Sequence, residues 1–158
     1  MEKIGLISTD EFPGLLYDPE PGWLIRDGKR AGCQQNKGYW ITSIKGKQIV
    51  DHRIIWFMMT GACPSKQIDH INGIRDDNRW CNLREVSNQQ NQFNRAVRKD
   101  SSTGIKGVYP KGNKFRASIF FNWKEKHLGY FDTVEEAKAA YEKAALELQG
   151  DFRRKDES

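Results

Sequence analysis

An adjacent carboxylate and imidazole, Asp69-His70, are the residues whose types and spacing point most directly to chemistry. Asn82 lies twelve positions after His70, and Asn91 lies nine positions after Asn82. A neutral histidine can take a proton from water near pH 7, because its ordinary pKa is about 6.5. Carboxylate and amide oxygens are hard ligands that suit Mg²⁺. Hydrolysis of a phosphodiester needs an activated water and charge relief at the phosphate, and Asp69, His70 and Asn91 can supply both if the helix that carries Asn91 crosses near His70.

The elements that must position these residues are predicted as strand, loop, strand and helix across residues 68–92. Ser87 is a suitable N-cap for the helix that would carry Asn91. Adjacent residues of a regular strand point to opposite faces. Asp69 and His70 can therefore serve one site only if the strand bends or ends there. We expect a compact hairpin laid against a helix.

The residues before this segment are predicted to form a small sheet and one helix. Short apolar runs between turn signals fill residues 1–50 and indicate an antiparallel sheet. Residues 51–60 are apolar on most sides and predict a short buried helix, with Asp51 as its N-cap and Gly61 as its end. His52 in this helix is more typical of a structural residue than of a catalytic one, with a contact to a DNA phosphate or to the substrate as the alternative.

The residues after position 98 are predicted to form a separate sheet with one helix. Residues 99–103 have the composition of a linker. A helix is expected from Asp132-Thr133 to about Gln149, because its apolar residues recur at helical spacing and Gly150 follows. Whether Phe120 and Trp123 are packed or contact a ligand is left open. The strands are predicted at residues 105–109, 114–121 and 124–130, with Phe115, Ala117, Ile119 and Phe121 facing the helix and Lys114, Arg116, Ser118 and Phe120 facing outward.

Charge and composition narrow the classes of function. The net charge is +5, and residues 95–126 hold nine basic and two acidic side chains, a local charge of +7. Such a basic stretch is typical of a phosphate-binding surface, although a solvated lysine-rich surface has the same composition. There is no apolar run long enough for a membrane span and no signal peptide, so a cytoplasmic location is expected. Three widely spaced cysteines argue against disulfides and against a cysteine zinc site.

The segment from Asp69 to Asn91 resembles the HNH endonuclease family, whose fold is called ββα-metal. The resemblance implies that His70 is the general base, that Asn82 ties the hairpin loop, and that Asp69 and Asn91 bind a divalent metal, Mg²⁺ or alternatively Mn²⁺. Asn91 stands where the motif often has histidine, as in homing-type members. The matching pieces are Asp69-His70, Asp77-Asn78-Arg79, Asn82-Leu83-Arg84 and Asn88 to Asn91, with His52-Arg53, Trp56 and Thr60-Gly61 upstream, as in phage-type members.

The C-terminal segment resembles the AP2 DNA-binding domain, and that resemblance implies a sheet that enters the major groove. The base-reading positions differ from those of plant relatives, so their target sequence is not carried over. The matching pieces are Gly107-Val108-Tyr109, Phe115 to Ile119, His127 to Phe131, and Asp132-Thr133 with Glu135, Glu136, Ala137, Ala140, Tyr141 and Ala144. The DNA-contacting residues expected in the whole chain are Arg79, Arg84, Arg95, Tyr109, Lys114, Arg116, Ser118, Phe120, Lys126 and His127.

The sequence thus predicts an α+β protein with a nuclease domain at residues 1–98 (core about 51–98), a linker at 99–103 and an AP2-like domain at 104–158. The expected function is a homing-type, phage- or intron-associated endonuclease that nicks or cuts double-stranded DNA with one divalent metal, with a monomer favoured. Two alternatives stay open: a DNA-binding regulator that keeps the HNH scaffold without catalysis, and a nuclease that acts on RNA. Residues 1–98 alone are expected to retain slow, metal-dependent cutting.

Overall fold

The contacts within the chain divide it into two units, residues 1–86 and 87–158. The computed structural model describes residues 6–97 and 100–152. Residues 98 and 99, at the predicted junction, lie outside the described part, as do the predicted ends of both domains. The division into domains at 1–98 and 104–158 stays a prediction. The two units together are a mixed α and β structure with antiparallel sheets and few helices.

The first unit begins with two antiparallel sheets where the sequence predicted one. The chain turns between them at Gly32, which has φ 78°, and a Cβ there would overlap the carbonyl oxygen of Ile41. Only glycine fits this close approach of the backbone to Ile41. The first sheet contains β1 (Ile7–Ser8), β2 (Leu16–Asp18), β3 (Trp23–Arg26) and β4 (Lys29–Arg30), and the second contains β5 (Cys33–Gln34), β6 (Trp40–Ile44) and β7 (Lys47–Val50).

The helix α1 (Asp51–Thr60) follows the second sheet. Its predicted end is confirmed, since Gly61 adopts the left-handed conformation with φ 73°. The predicted N-cap is wrong by one residue: Val50 is the cap, and the buried Asp51 accepts a hydrogen bond of 2.8 Å from Thr42 Oγ1 instead. The helix packs into the core of the unit, whose buried members are Leu15, Tyr17, Leu24, Ala31, Ile54, Ile55, Met58, Ile68 and Leu83.

A two-stranded hairpin completes the first unit. It consists of β8 (Gln67–His70) and β9 (Leu83–Val86), with a 3-10 turn at Trp80–Asn82 before β9. Strand β8 ends at His70, where the chain turns through a Gly73 N–H to His70 carbonyl bond of 2.9 Å. Asp69 and His70 can both serve one site only if the strand bends or ends at these residues. Strand β8 does end there.

The second unit contains α2 (Asn88–Phe93), β10 (Val108–Lys111), β11 (Lys114–Phe121), β12 (Lys124–Phe131) and α3 (Val134–Gln149). The predicted start of α2 is confirmed, because Ser87 and Gln90 form a capping box. A second capping box, formed by Thr133 and Glu136, begins α3. The three strands form one antiparallel sheet whose core against α3 consists of Val108, Ala117, Ile119, Ala137, Tyr141, Ala144 and Ala145.

Strand β10 begins three residues later than predicted. Residues 105–107 form a turn instead, in which the Thr103 hydroxyl donates to the carbonyl oxygen of Val108 at 2.8 Å. Gly107 has φ 73°, and its missing Cβ leaves room for the ring of Tyr141. The turn thus packs against α3 at Gly107. Its positive φ favours glycine, whereas a regular strand at this position would not need one.

The expected outward face of β11 is also corrected at one position. Ser118 is only 5% exposed, although it was predicted to face outward with Arg116 and Phe120. Its short side chain is hydrogen-bonded to the Glu125 carboxylate, which also pairs with Arg116 at 2.8 Å. A register shift between Ala117 and Ser118 places this pairing next to a bulge in the sheet.

Candidate active site

His70 is the centre of the candidate site. Its side chain is 4% exposed, and its Nε2 lies 2.9 Å from Oδ1 of Asn78. An amide oxygen only accepts hydrogen bonds, so Nε2 carries the proton and Nδ1 carries the lone pair of the neutral ring. Burial lowers the pKa of His70, while the bond to Asn78 opposes that shift. The ring is therefore neutral at pH 7 and can accept a proton at Nδ1.

Asn78 is fixed in place from the N-terminal sheet. It is 1% exposed, and its backbone carbonyl accepts a hydrogen bond of 3.1 Å from the hydroxyl of Tyr17. The same hydroxyl accepts from the Trp80 N–H at 2.9 Å, and burial raises the pKa of Tyr17 to about 12. Sequence reasoning missed Tyr17, because no local pattern connects two residues that are 61 positions apart. It also gave Asn78 no separate role.

Asn82 holds the loop between the two strands of the hairpin. Its Nδ2 donates to the carbonyl oxygen of Asp77 at 2.7 Å and to Oδ1 of Asn72 at 3.0 Å. Its Oδ1 accepts from the Asn72 N–H at 3.0 Å. Asn82 is buried and spans the loop, so it has the contacts expected of the residue that ties the loop. It positions the loop that carries Asn78.

Asp69 and Arg84 form a cross-strand ion pair in the hairpin. They are directly opposite each other in the register of β8 and β9. Both Nε and one terminal nitrogen of Arg84 reach Oδ2 of Asp69, at 3.1 and 2.9 Å. Both side chains are largely buried, so the pair is screened less than a surface pair. Arg84 was predicted to contact DNA, and Asp69 was predicted to bind the metal. In the structure the two side chains pair with each other.

Two more aromatic rings surround His70. The ring of His52 lies 5.1 Å from that of His70 between centroids, in a T-shaped arrangement, and Tyr39 lies 6.0 Å from His70. Burial lowers the pKa of His52 to about 3, and the electrostatic interaction with His70 acts in the same direction. His52 is therefore neutral at pH 7 and forms part of the wall of the site. The sequence gave it a structural role, and Tyr39 was not singled out.

The donor atoms of the site limit which metal could bind. Within residues 6–97 and 100–152, no three His, Cys, Asp or Glu side chains come together as a cation site. Zn²⁺ usually takes four protein ligands of the nitrogen and sulfur type or three with a water. Mg²⁺ binds through one or two carboxylates, several waters and substrate phosphates. A single carboxylate such as Asp69, with an amide oxygen, therefore fits Mg²⁺ rather than Zn²⁺.

Asn91, the second expected metal ligand, lies on α2 in the second unit. Its side chain is partly buried, and its backbone N–H donates to the Ser87 carbonyl at 3.0 Å. The helix is short, with six residues. Its role as a ligand stays a prediction from the sequence.

The residues expected to contact DNA differ in their surroundings. Arg79 forms a bidentate pair with Asp77 within the loop, at 2.7 and 2.6 Å. Lys114 pairs with Asp132 at 2.9 Å, as Arg116 does with Glu125. Arg95, Tyr109, Phe120, Lys126 and His127 are exposed, and the His127 ring lies 4.8 Å from that of Tyr130.

Exposed aromatic side chains mark one side of the second unit. Phe120 is 49% exposed and Trp123 is 67% exposed, so neither is packed in the core. With Tyr109 they line a cavity of about 750 Å³ that Arg95 also borders. Trp123 has φ 62° in the turn between β11 and β12, an unusual conformation for a bulky residue. The packed interpretation of these two side chains is wrong, and the alternative of a ligand contact remains.

None of the helices described has the length and apolar character that crossing a membrane requires.

Comparisons with known proteins point to one family. Residues 51–93 match the family model described as HNH endonuclease. The chain is also 32% identical over 117 residues to an uncharacterized HNH endonuclease of Acanthamoeba polyphaga mimivirus, over 73% of this chain and 60% of that protein. The chain thus spans less than two thirds of the length of this relative. No solved structure matches the chain. The family match thus covers residues 51–93, the segment that contains His70 at the end of β8.

Proposed function

We propose that the chain is a metal-dependent DNA endonuclease in which His70 is the general base. The observation that carries this proposal is the buried, neutral His70 ring, whose Nε2 is 2.9 Å from the oxygen of Asn78. A ring held in this way keeps its lone pair on Nδ1 in one orientation. The match of residues 51–93 to HNH endonucleases supports the same reaction class.

The reaction requires a proton to leave the attacking water. Nδ1 of His70 takes that proton as the water oxygen forms a bond to the phosphorus, and the leaving sugar oxygen departs with the bond electrons. Asn78 stabilises the resulting imidazolium, because its oxygen still accepts from Nε2–H. Tyr17 and Asn82 keep Asn78 and its loop in place. The rings of His52 and Tyr39 lie beside the ring of His70 and help to hold it in place.

Asp69 and Asn91 are the residues proposed to hold the divalent metal, with Mg²⁺ favoured and Mn²⁺ the alternative. The metal, when bound, relieves negative charge at the phosphate. Arg84 is 2.9 Å from Asp69 and orients its carboxylate. Arg84 therefore has a positioning role in this proposal, rather than the direct DNA contact expected from the sequence.

The second unit is proposed to bind double-stranded DNA, as an accessory domain of the AP2-like type. Its support is the local charge of +7 over residues 95–126 and the exposed aromatic side chains Phe120 and Trp123. A homing-type, phage-associated role in an infected cell is an extension of the same proposal, and the viral relative is consistent with it.

Incubation of the protein with supercoiled plasmid tests the proposed function. We expect nicked or linear DNA with Mg²⁺ or Mn²⁺ and intact plasmid with EDTA. A matched RNA of mixed sequence is expected to stay intact, because the narrow major groove of A-form RNA does not admit a sheet. Cutting that persists in EDTA would exclude the metal-dependent mechanism.

One observation favours the alternative function, a DNA-binding regulator without catalysis. The carboxylate of Asp69 is already paired with Arg84, and such a pair can stabilise a hairpin with no metal. A protein that binds the plasmid in a mobility shift, yet leaves it intact with either metal, would support the regulator.

A further inference from the structure

The helix α2, which carries Asn91, depends on other parts of the second unit for its stability. It has only six residues, and isolated helices much shorter than about 12 residues do not persist in water. Its N-terminus is capped by Ser87 and Gln90, but a capping box satisfies only the first turn. The carbonyl groups at its C-terminal end need partners from elsewhere.

Lys106 supplies these partners. Its Nζ lies 3.2 Å from the carbonyl oxygen of Gln92, 2.8 Å from that of Phe93 and 3.1 Å from that of Arg95. An ammonium group has three N–H donors, so one side chain can serve three carbonyls. A cation at this end also interacts favourably with the helix dipole. Lys106 comes from the turn before β10, within the segment that was predicted to be a separate DNA-binding domain.

The hairpin of β11 and β12 also contacts α2. The ring of Phe93 is stacked on that of Phe121, with centroids 6.0 Å apart and an interplanar angle of 21°. Gln89 at the start of the helix donates to Oδ1 of Asn122 at 3.4 Å. Asn122 is in the turn that also carries the exposed Trp123. The same hairpin thus contacts α2 and presents aromatic side chains to solvent.

We infer that Lys106 and Phe121 are positioning residues for α2, so that the nuclease needs the C-terminal segment in order to use its metal. This inference rests on the proposed function, because Asn91 on α2 is a metal ligand only within that proposal. It replaces the expectation that residues 1–98 alone retain metal-dependent cutting. Without Lys106 and Phe121, α2 loses its C-terminal cap and its apolar contact.

Hydrogen exchange of the full chain, without DNA or metal, tests the anchoring itself. The peptide that contains the Asn91 N–H is compared in wild type, Lys106→Met, Phe121→Leu and Lys143→Met. Lys143 is exposed on α3, so this control removes the same charge from the same unit. We expect exchange in α2 to be about 5–30-fold faster in the first two variants and unchanged in the control. Equal exchange in all four proteins would overturn the inference, whatever the protein does to DNA.

Cleavage by the same proteins tests the consequence for the metal. We expect Lys106→Met and Phe121→Leu to need about 5–30-fold more Mg²⁺ for half-maximal plasmid cutting, with DNA affinity equal to that of Lys143→Met. An unchanged Mg²⁺ requirement would also overturn the inference, even if exchange is faster. A wild-type protein that fails to cut would contradict the proposed function instead, and the exchange experiment would still decide the anchoring. If one variant does not fold by circular dichroism, the other carries both measurements.

Discussion

Opposing effects set the protonation of the His70 ring. Burial disfavours the imidazolium and lowers the pKa, whereas the hydrogen bond to Asn78 favours it and raises the pKa. The nearby carboxylates of Asp69, Asp77 and Asp76 also raise the pKa. Burial is the larger effect, so the pKa lies below its ordinary value. A base with a lowered pKa stays neutral as the pH falls below its usual range. Cutting is therefore expected to persist at a lower pH than an exposed histidine would allow.

Asn78→Ala changes both the rate and the pH profile of cutting. Loss of the oriented partner is expected to lower the rate roughly 10–100-fold, the usual cost of removing a residue that orients a reactive group. The acid limb of the pH profile should move to lower pH, because the bond that favours the imidazolium is gone. Single-turnover cleavage between pH 5 and 8 measures both quantities.

Asn36→Ala is the matched control for this experiment, since Asn36 is exposed in the turn between β5 and β6. It is expected to cut like the wild type. An Asn78→Ala protein that is slower but has the wild-type pH profile would mean that Asn78 supports the fold and does not act on the ring of His70.

Individual site residues could be predicted from the sequence only where they lie close together along the chain. Asp69-His70 and Asn82 were singled out because their types and spacing fall within one short segment. Tyr17 and Tyr39 were not singled out, because their contacts join elements that are far apart in the chain. The pairing of Arg84 with Asp69 was missed for a different reason: it follows from the hairpin register, which the sequence alone did not fix.

At the scale of elements, the first sheet positions the loop that carries Asn78. Gly22 lies beside this loop with φ 74°, and a Cβ there would be 2.6 Å from the Asn78 carbonyl carbon and would overlap the Arg79 nitrogen. Gly28 has nearly the same φ, 72°, but an added Cβ would meet nothing within 4 Å. A comparison of alanine variants at these two glycines therefore distinguishes two contributions to stability. One is the steric clash with the loop, and the other is the left-handed backbone conformation.

Gly22→Ala is expected to destabilise the protein more than Gly28→Ala does. The left-handed conformation costs a non-glycine residue about 1–2 kcal/mol, which applies to both variants. Only Gly22→Ala must also displace the backbone of residues 78–79, so its cutting rate should fall as well. Urea unfolding and plasmid cleavage measure the two effects. Equal unfolding free energies for the two variants would show that the sheet does not constrain the loop.

Element boundaries were predictable where a capping residue marks them. Gly61 and Ser87 were identified in this way, and α1 ends and α2 begins as predicted at these positions. The start of β10 was missed because Gly107 and Thr103 build a turn from a stretch of strand-forming residues. The Val50 cap of α1 was missed because Asp51 bonds to another element instead of its own helix.

At the scale of the whole molecule, we expect two kinds of DNA contact: basic side chains that bind phosphates, and exposed aromatic side chains that contact DNA without a change in charge. Lys126 is exposed on β12, and its loss is expected to reduce the slope of log K against log salt by about 0.9, as for one lost phosphate contact. Phe120→Ala and Trp123→Ala should weaken binding by roughly 1 kcal/mol, about fivefold, and leave that slope unchanged. Fluorescence anisotropy with a duplex at several salt concentrations measures both.

Leu146→Ala is the control for the aromatic variants, because Leu146 is an exposed apolar residue on α3. It should bind DNA as the wild type does. If Phe120→Ala and Trp123→Ala also bind like the wild type, the aromatic surface has no part in DNA recognition. The basic stretch was visible in the sequence, whereas the exposure of these aromatic rings depends on the turn at Asn122-Trp123.

The most direct test of the account is single-turnover cleavage by His70→Ala with Mg²⁺ at saturating DNA. The rate is expected to fall roughly 10²–10⁴-fold, the usual cost of losing a general base, while the Kd for DNA stays at the wild-type value. A variant that binds DNA normally and cuts at the wild-type rate would remove His70 from the mechanism and contradict the central claim.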